Sequence, residues 1–152
     1  MPEMKIGDQW VGDGHPTYVI AEIGVNHNGI LDYAFQLIDA AIRAGADAVK
    51  FQKRNLEKLY PAKFLLNSNV GEKNLNYLLP ILQQVELSDN DYYRLVKYCE
   101  KEGVTFLCSA FDEDSADFIE ELGVPAFKTA SADMINLPLL DYLCQKEKPL
   151  IV

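Results

Sequence analysis

Cysteine, histidine and tryptophan are scarce in this chain of 152 residues, which contains 3, 2 and 1 of them. The cysteines, Cys99, Cys108 and Cys144, are odd in number and form no CxxC pair. This pattern favours reduced thiols in a cytoplasmic protein over a disulfide framework. The histidines, His15 and His27, lie apart, and no cluster of His, Cys, Asp and Glu has metal-ligand spacing. We therefore expect no complete metal site within these residues.

The chain also has few positively charged residues and only short apolar runs. The chain has 14 Lys and Arg against 23 Asp and Glu, a formal net charge of −9. Such a chain is repelled by nucleic-acid phosphates, which argues against a nucleic-acid partner. No apolar run approaches the roughly 20 residues of a membrane-spanning helix, and no secretory signal pattern follows Met1. The hydrophobic content of 49% is typical of a folded domain.

A unit of helix, glycine and strand occurs three times along the chain. Gly45, Gly103 and Gly123 each follow an amphipathic stretch, at the place where a helix end needs a left-handed residue. Ser88 and Asp112 are predicted to cap the helices that follow them. Short apolar strands are predicted at residues 18–24, 48–52, 105–111, 126–131 and 149–152. We also expect a small hairpin at residues 5–11 and, within the connection 53–87, a helix near 74–85 and part of a lid.

Apolar strands that alternate with amphipathic helices predict an α/β fold with a parallel sheet covered by helices. The turn at residues 24–30 is neither GxGxxG nor GxxxxGK[ST], which argues against a nucleotide-binding fold. Polar residues cluster at the carboxyl ends of the strands, which favours a (β/α)8 TIM-type barrel. Such a barrel needs about 250 residues. The chain is therefore expected to hold the N-terminal part of one barrel domain, about four βα units and strand five.

Three charged residues on the predicted strands are the candidate catalytic groups. Glu22 lies in an apolar strand, where an unpaired carboxylate is costly to bury, so it serves either chemistry or a buried lysine. Lys50 and Lys128 each follow their glycine by five residues, which predicts equivalent depths on two parallel strands. Two such ammonium groups repel each other unless an anionic ligand lies between them or a carboxylate such as Glu22 neutralises them.

Further polar residues at the strand ends are candidate substrate-binding groups. Gln52 shares the face of Lys50, and Ser109 and Ser131 stand where hydroxyl and backbone N–H groups can hold phosphate oxygens. A structural role in a turn or at a helix cap explains the two serines equally well. Asn26 and His27 belong to a turn signature, in which the histidine could serve as acid or base.

Taken together, the strand ends resemble the N-acetylneuraminate (sialic acid) synthase family. The first two matching blocks read AEIGVNHNG at residues 21–29 and AGADAVKFQ at residues 44–52. Further matching blocks occur at residues 86–88, 109–112, 123–131, 136–140 and 148–152. The blocks stand in order over nearly the whole chain, which makes them more specific than any single motif.

The resemblance implies a (β/α)8 barrel followed by a small antifreeze-like domain, in a homodimer. It implies condensation of phosphoenolpyruvate with an N-acetylated sugar aldehyde, typically N-acetylmannosamine, to give a nine-carbon sialic-type acid and phosphate. It also implies a requirement for Mn²⁺ or Mg²⁺, whose histidine ligands would lie beyond residue 152.

Residue by residue, the resemblance assigns Lys50, Lys128, Ser109 and Ser131 to phosphoenolpyruvate. It assigns Glu22 and Gln52 to the sugar. Asp133 stands where the family more often has a glutamate that contacts the sugar, and Ala110 stands where it more often has proline. The identity of the sugar therefore stays open.

Several other functions remain in competition at this stage. A legionaminate, pseudaminate or spore-coat sugar synthase would use the same chemistry on another sugar. A chain whose natural length is 152 residues would instead be a non-catalytic half-domain that binds a sugar phosphate. A relative of the deoxy-sugar-phosphate synthases would need more basic residues for a second phosphate than the chain offers.

Overall fold

A computed structural model describes residues 3–66 and 73–152 of the chain. Its strands are β1 (Met4–Ile6), β2 (Gln9–Val11), β3 (Ile20–Gly24), β4 (Ala48–Lys53), β5 (Thr105–Ala110), β6 (Phe127–Thr129) and β7 (Leu150–Ile151). Its α-helices are α1 (Leu31–Arg43), α2 (Leu56–Leu59), α3 (Ala62–Leu66), α4 (Lys73–Val85), α5 (Asp89–Glu102), α6 (Glu113–Glu121) and α7 (Leu137–Cys144). The predicted α/β class is confirmed.

The main sheet contains β3, β4, β5, β6 and β7 in this order, with every neighbouring pair parallel. Strand order thus equals chain order, and helices lie in every connection between successive strands. One large core cluster joins the buried side chains of β4 and β5 to those of α1, α5, α6 and α7. This arrangement is the succession of βα units that builds an eight-stranded barrel.

The predicted helix ends are confirmed at both termini. Gly45, Gly103 and Gly123 have φ of 79°, 74° and 79°, in the left-handed region that a helix end requires. Ser88 and Asp91 form a reciprocal capping box at the start of α5. Asp112 caps α6 by accepting a hydrogen bond from the backbone of the third residue of that helix.

The predicted hairpin is present as the antiparallel pair β1 and β2. Ile6 is 3% exposed and packs with Ala48, Leu107 and Ala126, which lie toward the amino ends of the central strands. The hairpin therefore covers the end of the sheet opposite to the strand carboxyl ends, and leaves those ends accessible.

Two boundaries of the main-sheet strands differ by two residues from the sequence prediction, and the others agree to within one residue. β3 begins at Ile20 because the N–H of Val19 donates to the Asp47 carboxylate, at 2.7 Å, instead of to a neighbouring strand. β6 ends at Thr129, since Ser131–Asp133 forms a turn of 3₁₀ helix. The chain thus leaves the sheet two residues earlier than predicted and turns across the mouth of the strands.

The connection between β4 and α5 holds more helix than predicted. The helix expected near 74–85 is α4, while α2 and α3 had no clear sequence signal because both are very short. The predicted lid falls partly on residues 67–72, which lie outside the described residues. Of the helices in the described part, none is long and apolar enough to cross a membrane.

Candidate active site

A cleft of about 180 Å³ lies at the carboxyl ends of four neighbouring strands. It is lined by Glu22, Lys50, Gln52, Ser109, Phe111, Lys128, Thr129, Ala130 and Ser131. Six of the nine residues singled out from the sequence therefore meet at one place. The carboxyl ends of parallel strands are where α/β proteins place their sites, because the side chains of several strands converge there.

A larger cavity, of about 520 Å³, lies at the other end of the sheet. It is bounded by the turn of the β1–β2 hairpin and the ends of α5 and α6, and no lysine or arginine of the described residues lines it. Size alone favours this cavity, but charge and strand polarity favour the smaller cleft. We place the candidate active site in the smaller cleft.

The strand geometry explains why these side chains converge. Lys50 and Gln52 are two residues apart on β4, so they share one face, while Val49 and Phe51 point into the helix-covered core. Parallel pairing then aligns Glu22 with Lys50, and Gln52 with Ser109.

The register differs in one respect from the sequence prediction. Ser109 pairs with both Gln52 and Lys128, so Lys128 is level with Gln52 on the hydrogen-bond ladder and not with Lys50. Counted from the glycine that precedes each strand, β4, β5 and β6 are offset by one residue from one strand to the next. An eight-stranded barrel with tilted strands requires a stagger of about one residue per strand. The two lysines nevertheless line the same cleft.

Lys50 is a buried cation with two partners. It is 8% exposed, and its Nζ donates to Ser109 Oγ at 2.9 Å. The same Nζ forms an ion pair with Glu22 Oε2. The Glu22 side chain is 51% exposed, so its second oxygen is available at the cleft. The sequence analysis left open whether Glu22 serves the chemistry or pairs with a buried lysine. The structure shows the ion pair with Lys50.

Lys128 is held differently. Its Nζ donates to the carbonyl oxygen of Thr129 at 2.7 Å, and no carboxylate of the described residues forms an ion pair with it. The lining thus contains two ammonium groups and one carboxylate, which leaves the cleft with net positive charge. A small cleft of this charge attracts an anion.

Arg54 was missed by the sequence analysis. It follows β4 directly, is 8% exposed, donates a hydrogen bond to Gln52 Oε1, and its guanidinium lies 4.4 Å from the centre of the Phe111 ring. The alternation of Lys50, Gln52 and Arg54 along one strand was the available signal. The predicted strand stops at residue 52, so the prediction does not include Arg54.

Asp112 joins two loops at the rim of the cleft. Besides capping α6, its carboxylate accepts from Ser115 Oγ at 2.8 Å and from the N–H of Asn55 at 2.7 Å. The end of β5 is thereby tied to the segment that follows β4. Phe111, which lines the cleft, is the residue before Asp112.

Asn26 and His27, the two candidates in the turn at residues 24–30, are not among the residues that line the cleft. His27 is 1% exposed, its Nδ1 accepts from the N–H of Gly29 at 3.1 Å, and its ring lies 5.9 Å from that of Phe51. Burial lowers the pKa of His27 below its ordinary value of 6.5. Asn26 is exposed and donates to the carbonyl of Ile23 at 2.9 Å. Both side chains serve the turn, and their proposed contact with substrate stays a prediction.

The candidates after β6 are divided by the 3₁₀ turn. Ser131 is exposed and lines the cleft, whereas Asp133 accepts a hydrogen bond from Asn136 Nδ2 at 3.3 Å and does not line it. Asn136 in turn caps α7. The role of Asp133 at the sugar stays a prediction.

Residues 37–152 match the family model described as the NeuB family. The chain belongs to the NeuB family. This membership confirms the resemblance to the N-acetylneuraminate synthase family that the ordered blocks carry.

Three curated relatives of this NeuB-family chain have similar identity but different names. Spore coat polysaccharide biosynthesis protein SpsE of Bacillus subtilis is 38% identical over 151 residues, which are 99% of this chain and 40% of SpsE. N-acetylneuraminate-9-phosphate synthase of Homo sapiens is 37% identical over 153 residues, which cover 95% and 40% of the two chains. N,N'-diacetyllegionaminic acid synthase of Legionella pneumophila is 38% identical over 146 residues, which cover 93% and 40%.

The fold agrees with a solved structure of the same kind. The crystal structure of N-acetylneuraminic acid (sialic acid) synthetase from Leptospira borgpetersenii, in complex with citrate, matches with a TM-score of 0.82 at 28% identity. The match covers 98% of this chain and 48% of that one. The NeuB-family chain thus spans about half of the solved structure and about 40% of the curated relatives.

The described residues contain no complete site for the metal that the resemblance implies. Among residues 3–66 and 73–152, no group of three or more His, Cys, Asp and Glu side chains is placed to hold an ion. The candidate cleft contains one carboxylate, Glu22, which already pairs with Lys50. The described residues of this NeuB-family chain therefore do not fit a metal by themselves, and ligands beyond residue 152 stay a prediction.

Proposed function

We propose that the protein condenses phosphoenolpyruvate with an N-acetylated amino-sugar aldehyde to give a sialic-type nonulosonic acid and phosphate. Membership of the NeuB family supports this reaction class. The observation that carries the proposal is the small cationic cleft at the strand ends, where Lys50, Ser109 and Lys128 surround a space of about 180 Å³.

In this proposal the two lysines hold phosphoenolpyruvate, which carries a phosphate and a carboxylate. Lys50 reaches the cleft as a charge already fixed by Glu22 and Ser109, so little entropy is lost when an anion binds. Lys128 has no carboxylate partner among the described residues, so it offers a charge that an anion can neutralise. Ser131, exposed at the rim, supplies a hydroxyl to the same ligand.

The sugar side of the cleft is assigned to Glu22 and Gln52. Glu22 has one oxygen on Lys50 and the other open, so it can accept a hydrogen bond from a sugar hydroxyl. Gln52 stands beside it on the neighbouring strand. Both side chains orient the aldehyde carbon toward the methylene carbon of phosphoenolpyruvate.

The reaction balances with water as the third reactant. The methylene carbon of phosphoenolpyruvate forms the new C–C bond to the aldehyde carbon, whose oxygen takes a proton to become a hydroxyl. Water adds to the carbon that carries the phosphate, and the bond between this carbon and the phosphate oxygen then breaks. Inorganic phosphate leaves, the water oxygen becomes the keto oxygen of the product, and the two protons of water pass to the new hydroxyl and to the phosphate. Positive charge near the phosphate, supplied by Lys50 and Lys128, stabilises the phosphate as it leaves.

The sugar is the open part of the proposal. The three relatives named above carry three different names at 37% to 38% identity, so identity alone favours none of their sugars. Asp133, the residue that departs from the family pattern, lies outside the cleft lining. We propose an N-acetylated hexosamine aldehyde and leave the choice within this class to measurement.

Phosphate release by the complete reading frame tests the proposal. The protein is supplied with phosphoenolpyruvate, Mn²⁺ and one of several acetamido sugars, starting with N-acetylmannosamine, and a chelator arm tests the proposed metal requirement. We expect release that needs both substrates. Absence of release with every sugar, from a folded protein that binds phosphoenolpyruvate, would contradict the condensation.

A further inference from the structure

Arg54 lies just outside the candidate active site, yet two of its contacts reach residues that line it. The side chain is 8% exposed and does not itself line the cleft. Its guanidinium donates to Gln52 Oε1 and lies over Phe111, with 4.4 Å between the guanidinium carbon and the ring centre. Gln52 and Phe111 both belong to the lining.

The contact with Arg54 determines which end of the Gln52 amide faces the cleft. A guanidinium has five donors and no acceptor, so only the amide oxygen can face it. The amide NH₂ must then point away from Arg54. A Cβ placed on Gly24 would stand 3.3 Å from Gln52 Nε2 and 3.2 Å from Glu22 Oε1. The amide donor and the open carboxylate oxygen therefore both lie next to the point where a side chain on Gly24 would begin.

Gly24 is the residue that makes room for this arrangement. Its φ is +56°, in the left-handed region, and any side chain at this position would crowd both polar atoms. One donor from Gln52 and one acceptor from Glu22 thus border the same small space beside Gly24, and both residues line the cleft. A donor and an acceptor around one space match a substrate that offers an acceptor oxygen beside a hydroxyl or amide N–H.

We infer that Arg54 is a positioning residue, which fixes the amide of Gln52 so that its NH₂ donates to an acceptor oxygen of the sugar. The inference rests on the proposed function. It deepens that function by assigning specificity for the sugar to a residue that does not touch the sugar. Without Arg54 the amide is free to turn, and half of its orientations present an oxygen beside the Glu22 carboxylate.

The first experiment compares kinetic constants of Arg54→Met and wild type in the complete protein. We expect KM for the sugar to rise about tenfold, the effect of one misplaced hydrogen bond, while KM for phosphoenolpyruvate changes by less than about twofold. Arg54→Lys retains a cationic donor but loses the planar guanidinium over Phe111, so we expect an intermediate KM. A merely structural role would change both KM values or neither.

Arg94→Met is the matched control. Arg94 is also an arginine over a phenylalanine ring, 5.9 Å from Phe35, but it lies on α5 at the surface and its side chain is 55% exposed. We expect this variant to keep the wild-type KM for both substrates. Equal rises in both arginine variants would overturn the inference.

Gln52→Glu tests the polarity of the amide directly. The new carboxylate still meets Arg54, as an ion pair, so the local structure is retained. The group that faces the cleft is now an acceptor next to Glu22 instead of a donor. We expect the sugar KM to rise at least as far as in Arg54→Met, and a wild-type sugar KM would overturn the inference.

A measurement without turnover separates this inference from the proposed function. The side-chain amide of Gln52, observed by ¹⁵N NMR in the complete protein, is expected to be ordered in wild type and mobile in Arg54→Met. Phosphate release that is absent with every sugar contradicts the proposed function and leaves the NMR comparison to decide the role of Arg54. Unchanged amide order in Arg54→Met contradicts the positioning role even when the enzyme is active.

Discussion

Lys50, with its buried ammonium group, is the residue on which the candidate site depends most. It has a hydroxyl partner, Ser109, and a carboxylate partner, Glu22, that remains half exposed. Because Glu22 keeps its access to water, loss of the lysine leaves no buried unpaired charge. Lys50 can therefore be replaced with little expected effect on folding, which makes its role in binding testable.

We predict that Lys50→Met in the complete protein weakens phosphoenolpyruvate binding about 10- to 100-fold, the range expected for one hydrogen bond to a charged group. Titration calorimetry with phosphoenolpyruvate alone measures this effect. Lys101→Met serves as control because its side chain is 75% exposed, pairs with its neighbour Glu102 and does not line the cleft. Wild-type affinity in Lys50→Met would remove the lysine from the anion site.

His27 is a second residue with a measurable signature. Its ring is buried against Phe51, and burial lowers its pKa below 6.5, so the folded protein binds a proton on this ring less readily than the unfolded chain. Stability from this group is therefore complete above pH 6.5 and is lost as the pH falls toward the folded-state pKa.

We predict that His27→Phe, which keeps a ring at this position, reduces the loss of stability between about pH 7.5 and about pH 5. Urea unfolding at the two pH values gives the free energies, and the wild-type and variant differences are compared. Other titrating groups contribute equally to both proteins. An identical difference in the two proteins would show that His27 titrates normally in the fold.

At the scale of elements, the packing of α4 on the turn after β3 depends on a missing side chain. Gly29 has φ of +73°, and a Cβ on it would stand 2.4 Å from the carbonyl oxygen of Gln84 near the end of α4. Gly45 has a similar φ of +79° but has open space around it. The two glycines therefore separate backbone strain from close approach.

We predict that Gly45→Ala lowers the free energy of unfolding by about 1 kcal/mol, the cost of a left-handed alanine. Gly29→Ala is expected to cost about 2 kcal/mol more, because α4 must move away from the turn. Chemical denaturation of both variants measures the difference. Equal losses would mean that α4 does not press on Gly29.

The elements also show how far local sequence determines structure. The capping box at Ser88, the cap at Asp112 and the left-handed glycines were predictable because each depends on a few neighbouring residues. The early end of β6 was not, because Ala130 and Ser131 are compatible with a strand and leave it only where the chain turns across the sheet. Local preference is weak there, and tertiary contacts decide.

At the scale of the whole molecule, the sheet has two edges without a partner strand in the described residues, namely β3 and β7. An open parallel sheet exposes unpaired backbone groups at each edge, and natural proteins pair or cover such edges. Closure into a barrel by further strands would satisfy both edges at once.

We predict that a polypeptide limited to these 152 residues associates with itself as its concentration rises, whereas the complete protein has one defined oligomeric state. Sedimentation velocity over a range of concentrations distinguishes the two. A monodisperse monomer of the short polypeptide at every concentration would mean that its edges are protected from pairing.

Sequence patterns predicted the α/β class, the alternation of the main strands with helices, and six of the residues that line the cleft. These follow from periodicity, capping residues and strand alternation, which act over a few neighbouring positions. Contacts in the folded structure were needed to find that Lys128 is level with Gln52, that His27 is buried against Phe51, and that Arg54 donates to the Gln52 amide oxygen. These features depend on the stagger between strands and on contacts between residues far apart in the chain, such as Arg54 and Phe111. Short-range sequence patterns do not predict such contacts, because the same local sequence is compatible with several registers and side-chain orientations.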